Sequence, residues 1–378
     1  MIINNVRIVT EHEVLFGALE VDKGAIRTAP GSRSQLPQAL DGEGGWLLPG
    51  LIELHTDNLE KFFTPRPGVR WPAAAAMKYY DAAIAGSGIT TVLDAVAIGD
   101  VRAGGDRMEN VQQMIDVIRY SRENNLNRAD HYLHLRCELP HETTLPLFQR
   151  LENTPELRLV SLMDHSPGQR QFVSPEKYRT YYQGKYHLSD EQMDAFTQQQ
   201  IAFARRWSQP NRTAIAARCR QLGLTLSSHD DATGEHIAES RRLGGSIAEF
   251  PTTPAAAQAA RRQGMEVMMG APNVIRGGSH SGNVSAHSLA QTGLLTLLSS
   301  DYLPGSLLDA CFQLAHDQSL SFSLPQALAL ASAIPARVLG MTDRGRIAAG
   351  LRADLLLVNE FAGQPYIQAV WSRGRRVF

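Results

Sequence analysis

Eight short apolar runs, each followed by a segment with helical periodicity, constrain the fold of this chain more than any other feature. The runs are WLLPGLIELHTD, GITTVLDAVA, HYLHLRCELP, RLVSLMDHSP, LTLSSHDD, SIAEFPTT, EVMMGAPNVI and LTLLSSDYLP. Apolar runs that alternate with helices are typical of parallel strands buried on both faces. Because eight such units close into a barrel, the sequence predicts an α/β fold with a (β/α)8 TIM-like barrel. A doubly wound open sheet is the alternative.

Both ends of the chain have a different pattern. Residues 2–48 form short alternating segments separated by turn-forming residues, and strand-like text returns after Gly345 in ADLLLV and AVWSRGRRVF. We therefore expect a small composite β-sandwich domain from residues 1–48 and 345–378, with the barrel at 49–344. The long segment 166–223, which contains QFVSPEKYRTYYQGKYH, is expected to shape a substrate site or a lid.

The charge and cysteine content narrow the partners and the compartment. The 378 residues carry 37 Lys and Arg against 38 Asp and Glu, so no global field attracts nucleic acid or an anionic membrane. The start MIINNVRIVT lacks the pattern of a secretory signal. Three widely spaced cysteines without a CxxC motif are typical of reduced thiols. The sequence predicts a cytoplasmic protein with no nucleic-acid or membrane partner, and a homo-oligomer is compatible with it.

Histidine and carboxylate residues follow several of the eight runs, where a barrel enzyme holds its catalytic residues. His55 and Asp57 end the first run, and their two-residue spacing places both side chains on one face of a strand. The later runs end with Glu138, Asp164 and His165, His229 and Asp230, Glu249, and Asp301. Imidazole nitrogens and carboxylate oxygens bind zinc, iron or manganese, and a carboxylate can bridge two ions. The set predicts one or two divalent metal ions, with the choice among zinc, manganese, iron and magnesium left open.

The candidate metal ligands are His55, Asp57, Glu138, His165, His229 and Asp301. The candidate catalytic residues are Asp301 and His229, with Asp301 as the base that takes a proton from a metal-activated water. A single histidine at a strand end is more often a hydrogen-bonded structural group, and Asp94 is interpreted as structural. The set as a whole favours a metal site. Whether His165 and Glu249 bind metal or orient substrate stays open.

The segment PGLIELHTD, followed much later by GRIAAGLRADLLLV, resembles the amidohydrolase superfamily of metal-dependent barrel hydrolases over nearly the whole chain. This resemblance implies the barrel, the composite terminal domain and a divalent metal. Superfamily members carry two histidines on the first strand and one on the sixth, whereas this chain has His55 with Asp57 and no histidine at the strand-six position. The resemblance further implies that Glu138 in HLRCELP is a metal ligand, like the strand-three glutamate of the deacetylase branch.

Longer motifs in the same order resemble the phosphonate-utilisation branch of that superfamily, which serves the carbon–phosphorus lyase pathway. They include PGLIELHTDNLEKFFTPRP, TTVLDAVAIGD, VSLMDHSPGQRQF, SSHDDAT, AEFPTT, MGAPNVIRGGSHSGN and SSDY. The resemblance implies a hydrolase with a small-molecule substrate. The resemblance implies that such a hydrolase uses water to cleave the 5-triphosphate of α-D-ribose 1-methylphosphonate, which releases pyrophosphate and leaves the 5-phosphate.

A triphosphate with a phosphonate needs cations and backbone N–H groups concentrated in one cleft of a near-neutral protein. The candidate substrate-binding residues are Arg66, Arg170, Lys185, Glu249, Asn273, Arg276, Ser279 and His280. The glycine-rich segment 276–283 can turn backbone N–H groups toward phosphate oxygens, although glycine and serine are also ordinary turn residues. The tyrosines of the long segment are expected to pack a lid or to stack on a substrate ring.

Two other functions stay open at this point. The first is hydrolysis of an amide or amine, as in a deacetylase or a deaminase, because fold and metal do not choose the bond that is broken. The second is a non-catalytic subunit of a phosphonate-processing assembly. Metal content separates them, since every hydrolase hypothesis requires a metal.

Overall fold

The computed structural model of the chain describes residues 1–27, 31–66, 68–99, 107–279 and 282–378. Within these residues the strands are β1 (Ile2–Val9), β2 (Val14–Asp22), β3 (Ala25–Ile26), β4 (Leu40–Asp41), β5 (Trp46–Pro49), β6 (Leu51–Thr56), β7 (Ile89–Ile98), β8 (Asp130–Glu138), β9 (Leu157–Met163), β10 (Thr225–His229), β11 (Ile247–Glu249), β12 (Glu266–Gly270), β13 (Leu297–Ser299), β14 (Leu355–Phe361), β15 (Gln364–Ser372) and β16 (Arg375–Arg376).

The helices of the same residues are α1 (Asn58–Phe63), α2 (Ala73–Gly86), α3 (Arg107–Glu123), α4 (Thr144–Leu151), α5 (Pro175–Tyr186), α6 (Asp190–Phe203), α7 (Gln209–Leu222), α8 (Gly234–Arg242), α9 (Pro254–Arg262), α10 (Ala271–Ile275), α11 (Ala286–Gln291), α12 (Ser306–His316), α13 (Leu324–Ala329) and α14 (Ala333–Val338). A 3-10 helix covers Arg170–Phe172, and a π-helix covers Ala204–Ser208. No helix among the described residues has the length and apolar content needed to span a membrane.

Strands β6 to β13 form one eight-stranded sheet in chain order. The pairs β6–β7, β8–β9, β9–β10, β10–β11 and β11–β12 are parallel. Thr56 at the end of β6 forms a parallel bridge with Asp301, so the first and last strands meet and the sheet nearly closes. Every residue of β6 and β7 is buried, as expected for strands covered on both faces. The predicted (β/α)8 barrel is confirmed.

All eight apolar runs contribute a barrel strand, but the first run serves two sheets. Trp46–Pro49 joins the terminal sheet as β5, and Leu51–Thr56 enters the barrel as β6. Gly50 separates them, and a Cβ atom at this position would lie 2.2 Å from Oγ1 of Thr90. Only glycine permits the backbone to pass this close, so the change of sheet occurs there.

The two ends of the chain build one sheet, in the order β16-β15-β14-β5-β1-β2-β3 with β4 beside β1. Strand β14 lies antiparallel to both β5 and β15. Alternating apolar residues from both termini share one core, which contains Ile3, Val6, Ile8, Leu19, Val21, Ile26, Leu47, Ile347, Ala353, Leu355, Leu357, Ala369 and Trp371. The composite terminal domain is confirmed, and its boundaries at 48/49 and 344/345 stay predictions.

The chain divides into two compact units. The first unit contains Met1–Asp94, Asp116–Tyr132 and Gly270–Phe378, and the second contains Ala95–Ile115 and Leu133–Met269. In the first unit, Asp130 at the start of β8 accepts hydrogen bonds from Arg344 at 2.8 Å, Arg352 at 2.5 Å and Arg373 at 3.0 Å. Burial raises the pKa of Asp130, but the arginine charges outweigh burial and hold it well below its usual range. This cluster fastens the C-terminal segment to a barrel strand.

The long segment in the second unit folds into the helices α5, α6 and α7. Ser174 caps α5, and a capping box between Ser189 and Gln192 begins α6. The helices enclose an aromatic cluster of Phe172, Tyr178, Tyr182 and Met193, with Tyr186, Leu188 and Phe196 packed against it. The buried Tyr178 and Tyr182 therefore pack this segment, and its expected role as a lid stays a prediction.

Candidate active site

In the second unit, a carboxylate–imidazole pair joins the ends of β8 and β9. The Nδ1–H of His165 donates to Glu138 Oε2 at 2.6 Å, and the His165 backbone N–H donates to Oε1 at 3.0 Å. Burial raises the pKa of Glu138, but the charge and hydrogen bonds of His165 outweigh burial and hold that pKa below its usual range. Two of the predicted ligands are thus in direct contact.

The end of β10 adds a second imidazole and a second carboxylate to this pair. Oδ2 of Asp230 lies 3.4 Å from Nε2 of His229 and 3.6 Å from Nε2 of His165. Ligand atoms of these three residues all lie within 4.8 Å of one another. The backbone of Asp230 has a left-handed φ of 56°, a conformation that non-glycine residues rarely adopt and that is frequent at functional sites. Two imidazoles and a carboxylate at this separation suit a divalent metal.

The charge around His165 also fits a cation. Burial disfavours the charged imidazole, yet Glu138 and Asp230 together raise the pKa of His165 to about 10. The shift means that the surroundings of the ring are strongly negative. The same field attracts a divalent ion, so the donor types and the electrostatics both fit a metal.

In the first unit, the buried carboxylate of Glu53 connects the ends of β6 and β13. The backbone N–H groups of His55 and Ser300 donate to its two oxygens, each at 2.6 Å. Ser299 Oγ donates to the carbonyl of His55 at 2.7 Å and accepts from the N–H of Asp301 at 3.1 Å. This network fixes the backbone at the two predicted site residues His55 and Asp301.

Asp57 and Asp301 have features that suit site residues. Oδ1 of Asp57 is buried and accepts no hydrogen bond, and it forms an ion pair with Nζ of Lys61 at 3.5 Å. This oxygen already faces the Lys61 ammonium, and metal ligation by Asp57 stays a prediction. Asp301 has a left-handed φ of 53°, and its carbonyl accepts from Asn58 Nδ2 at 3.2 Å.

The sequence profile described as the amidohydrolase family matches residues 82–378. The chain belongs to the amidohydrolase family. A relative from Escherichia coli (strain K12), the alpha-D-ribose 1-methylphosphonate 5-triphosphate diphosphatase, is 62% identical over 378 residues and covers 100% of both chains. The resemblance to the amidohydrolase superfamily is thereby confirmed.

Solved structures with this fold include other amidohydrolases of low sequence identity. The N-acetyl-D-glucosamine-6-phosphate deacetylase of Mycobacterium smegmatis is 16% identical, covers 100% of both chains and has a TM-score of 0.63. The 5-methylcytosine deaminase of Klebsiella pneumoniae is 12% identical, with a TM-score of 0.63 and coverage of 100% of this chain and 97% of that chain. These likenesses show the fold alone.

Arg170 of this amidohydrolase lies in a buried ion-pair network rather than on an open loop. It is 3% exposed and pairs with Asp231 and, at 3.4 Å, with Glu239. Arg212 pairs with the same Glu239 and with Asp164 at 3.2 Å. Because these carboxylates neutralise its charge, the environment of Arg170 favours support of the strand ends over the phosphate contact expected from the sequence.

The remaining predicted cations and polar residues lie on loops and helices. Arg66 and Arg276 are exposed, and Lys185 stands over the rings of Tyr181 and Tyr186 at 5.4 and 5.5 Å. Asn273 Oδ1 accepts from the N–H of Ala286 at 2.9 Å and so fixes the chain beyond the glycine-rich segment. Ser279 is partly buried in that segment. His280 lies outside the described residues.

Glu249 has no exposed surface, although the sequence analysis placed it among the substrate-binding residues. Its Oε2 accepts from Ser161 Oγ at 2.6 Å and from His229 Nδ1 at 2.9 Å. Full burial and two donors favour a role in holding His229 over direct contact with substrate.

Two residues at this site were not among the predicted site residues. Asp230 was recognised as a polar strand end, but its place beside both histidines depends on the left-handed turn that follows β10. Arg136 precedes Glu138 by two residues on β8, is partly exposed, and has a buried Nε without a hydrogen bond. The two-residue spacing from Glu138 was the available signal for Arg136.

Proposed function

We propose that this amidohydrolase hydrolyses α-D-ribose 1-methylphosphonate 5-triphosphate to α-D-ribose 1-methylphosphonate 5-phosphate and pyrophosphate. The observation that carries the proposal is 62% identity over the full length of both chains to the Escherichia coli diphosphatase. Identity at this level without a length difference leaves the whole fold in common. The long motifs that resemble the phosphonate-utilisation branch support the same activity.

We infer that the enzyme uses one or two divalent metal ions. In the second unit, Glu138, His165, His229 and Asp230 supply oxygen and nitrogen donors in a negative field. In the first unit, His55, Asp57 and Asp301 are proposed as further ligands on the pattern of the sequence. A divalent ion supplies positive charge for phosphoryl oxygens and lowers the pKa of a water molecule.

The residues of the chain perform the remaining tasks. As the proposed base, Asp301 accepts a proton from the attacking water, and the bond from its N–H to Ser299 Oγ at 3.1 Å holds its backbone in place. His229 is the second proposed catalytic residue, with a ring held by Glu249 at 2.9 Å.

Arg136 is the cation that best fits contact with a phosphate group. Its Nε is buried without a hydrogen bond, part of the side chain is exposed, and its charge acts on Asp230 of the same cluster. A guanidinium with an unused N–H group can give bidentate hydrogen bonds to phosphate oxygens. Arg66, Lys185 and Arg276 are exposed and are proposed as further contacts, together with Asn273, Ser279 and His280.

A cytoplasmic location is proposed as well. Cys137, Cys219 and Cys311 are buried free thiols, and burial raises the pKa of each, which suits structural cysteines in a reducing compartment.

The activity is tested with metal-loaded protein and the proposed substrate in 18O-labelled water, with products followed by phosphorus NMR and mass spectrometry. Pyrophosphate together with 18O in the ribose 5-phosphate product is expected, because water then attacks the α-phosphorus. Protein treated with EDTA and the Asp301→Asn variant are the controls and should release little pyrophosphate. If metal-loaded protein forms no phosphorus product with any divalent ion, the proposed substrate is wrong.

A further inference from the structure

We propose that Glu249 is a positioning residue that sets the tautomer and ring orientation of His229, so that Nε2 of His229 is the atom that binds metal. The inference rests on the proposed metal-dependent function. In this proposal Glu249, at the end of the sixth barrel strand, orients a metal ligand and is not a ligand itself.

The register of two neighbouring strands places the residues side by side. His229 ends β10 and Glu249 ends β11, and the two are register partners in the parallel pairing. Paired residues of parallel strands project to the same face of a sheet. The Nδ1–H of His229 therefore meets Glu249 Oε2 at 2.9 Å without a turn or loop between them.

This hydrogen bond determines which nitrogen of His229 is free to bind. A neutral imidazole carries one N–H, and a carboxylate accepts only from a protonated nitrogen. With the proton on Nδ1, the lone pair is on Nε2, which faces Asp230 Oδ2 at 3.4 Å within the cluster that includes His165. A carboxylate bonded to the other ring nitrogen is the usual partner of a metal-binding histidine.

Three buried side chains hold Glu249 in turn. Ser161 Oγ donates to Glu249 Oε2 at 2.6 Å, and Ser161 is hydrogen bonded to Nε2 of His134. The hydroxyl of Ser227 lies 2.9 Å from that of Ser161, and His134 Nε2 lies 3.8 Å from Glu249 Oε1. All of these side chains are buried, so the carboxylate has one orientation and can impose one orientation on His229.

The first test measures metal binding rather than turnover. Metal-free wild type, Glu249→Gln and Glu249→Ala are titrated with Co2+, and affinity and the visible absorption spectrum are recorded. Loss of an outer partner weakens metal binding by about 10–100-fold, so we expect that loss for Glu249→Ala, with a changed spectrum. Glu249→Gln keeps an oxygen that can accept from Nδ1–H and should lie between Glu249→Ala and wild type.

Glu152→Gln is the matched control, because Glu152 is a buried carboxylate of the same unit that pairs with Arg218. It should bind Co2+ with the wild-type affinity and spectrum. Wild-type binding in Glu249→Ala would overturn the proposal. Equal and complete loss of one metal equivalent in Glu249→Ala and Glu249→Gln would also overturn it, because Glu249 would then be a ligand itself.

A second measurement needs no substitution at Glu249 and holds even if those variants fail to fold. Wild-type protein with 15N-labelled histidine is loaded with 113Cd2+, and the His229 ring signals are assigned by their loss in His229→Gln. We expect 113Cd–15N coupling at Nε2 and a proton on Nδ1. Coupling at Nδ1, or no coupling to His229, would overturn the inference. A protein that shows the Nε2 coupling but releases no pyrophosphate would instead refute only the proposed substrate.

Discussion

The backbone N–H of Ser300 donates to Oε2 of Glu53 at 2.6 Å, and this bond ties the end of the last barrel strand to the first. The other carboxylate oxygen accepts from the N–H of His55. One buried side chain therefore fixes the backbone on both sides of the bridge between Thr56 and Asp301, where two predicted site residues lie.

Replacement of Glu53 by alanine leaves two buried N–H groups without an acceptor. Each such group costs about 1–3 kcal/mol, so the free energy of unfolding of metal-free Glu53→Ala should fall by about 2–6 kcal/mol. Urea unfolding followed by circular dichroism measures the change. Glu20→Gln, on the more exposed strand β2, is the control and should shift stability by less than about 0.5 kcal/mol. A similarly small shift for Glu53→Ala would contradict the role of this carboxylate.

The Asp301→Asn variant removes the proposed base and keeps the size of the side chain. Turnover should fall by about 10²–10⁴-fold, because a positioned proton acceptor contributes about that factor. Steady-state release of pyrophosphate measures the rate, and circular dichroism should match wild type. Metal content is measured in parallel and the rate is expressed per bound metal, because Asp301 is also a proposed ligand. Asp22→Asn, at the exposed end of β2, serves as the control. Unimpaired turnover would remove Asp301 from catalysis.

Loss of a ligand imidazole should reduce bound metal. We expect each of the variants His55→Ala, His165→Ala and His229→Ala to retain fewer metal ions per chain than wild type after dialysis. Inductively coupled plasma mass spectrometry measures the metal content. His316→Ala is the matched control, since His316 is half-exposed and pairs with Glu360 at 3.0 Å. Full metal content in one of the three variants would exclude that histidine from the ligand set.

His131 gives the fold a pH dependence of defined sign. Its ring lies between Asp94 at 2.9 Å and Asp81 at 3.2 Å, and Tyr80 donates to the same Asp94 at 2.6 Å. Burial lowers the pKa of His131, but the two carboxylates raise it to about 9. Because the pKa of His131 is higher in the folded state than in the unfolded state, the charged ring stabilises the fold fully below about pH 6.5. This contribution is lost as the pH rises through about 9.

The free energy of unfolding of wild type should therefore fall by roughly 3 kcal/mol more than that of His131→Gln between pH 6 and pH 10. Urea unfolding at intervals of half a pH unit measures both curves. Parallel curves for the two proteins would show that His131 is not charged in the folded state.

Arg136 and Arg170 should respond to substitution in opposite ways. Arg136→Met removes a partly exposed cation with an unused N–H group, so KM for the triphosphate should rise by about 10–100-fold with little change in stability, since a charged hydrogen bond is worth about 1.5–3 kcal/mol. Arg170→Met leaves Asp231 without its partner, and breaking a buried ion pair costs about 3–5 kcal/mol of stability. Kinetics and urea unfolding of the two variants separate these effects. A stability loss in Arg136→Met with an unchanged KM would refute its contact with phosphate.

The sequence was sufficient for the barrel because its strands are buried on both faces and therefore appear as continuous apolar runs. Trp46–Pro49 and Leu51–Thr56 appeared as one run, since the change of sheet at Gly50 depends on the approach of Thr90. The sequence around Gly50 does not show that its backbone must pass close to the side chain of Thr90.

The site was harder to predict because pairing between distant residues decides the role of each charge. Arg170 and Arg136 are both arginines near a strand end, but only the structure shows that Asp231 and Glu239 neutralise Arg170. Glu249 is similar, since its role depends on the register that places it beside His229. Residue type and spacing predicted the donors, whereas partners and burial separated their roles.

The pairing of β5 with β14 joins Trp46–Pro49 to a strand that the ribosome makes only after residues 50–354. At about 5–20 residues per second, the earlier strand waits roughly 15–60 s for its neighbour. During this interval the nascent chain presents an unpaired, apolar strand edge, which is the kind of surface that aggregates. The edge of β5 is therefore covered only once the C-terminal strand has been made.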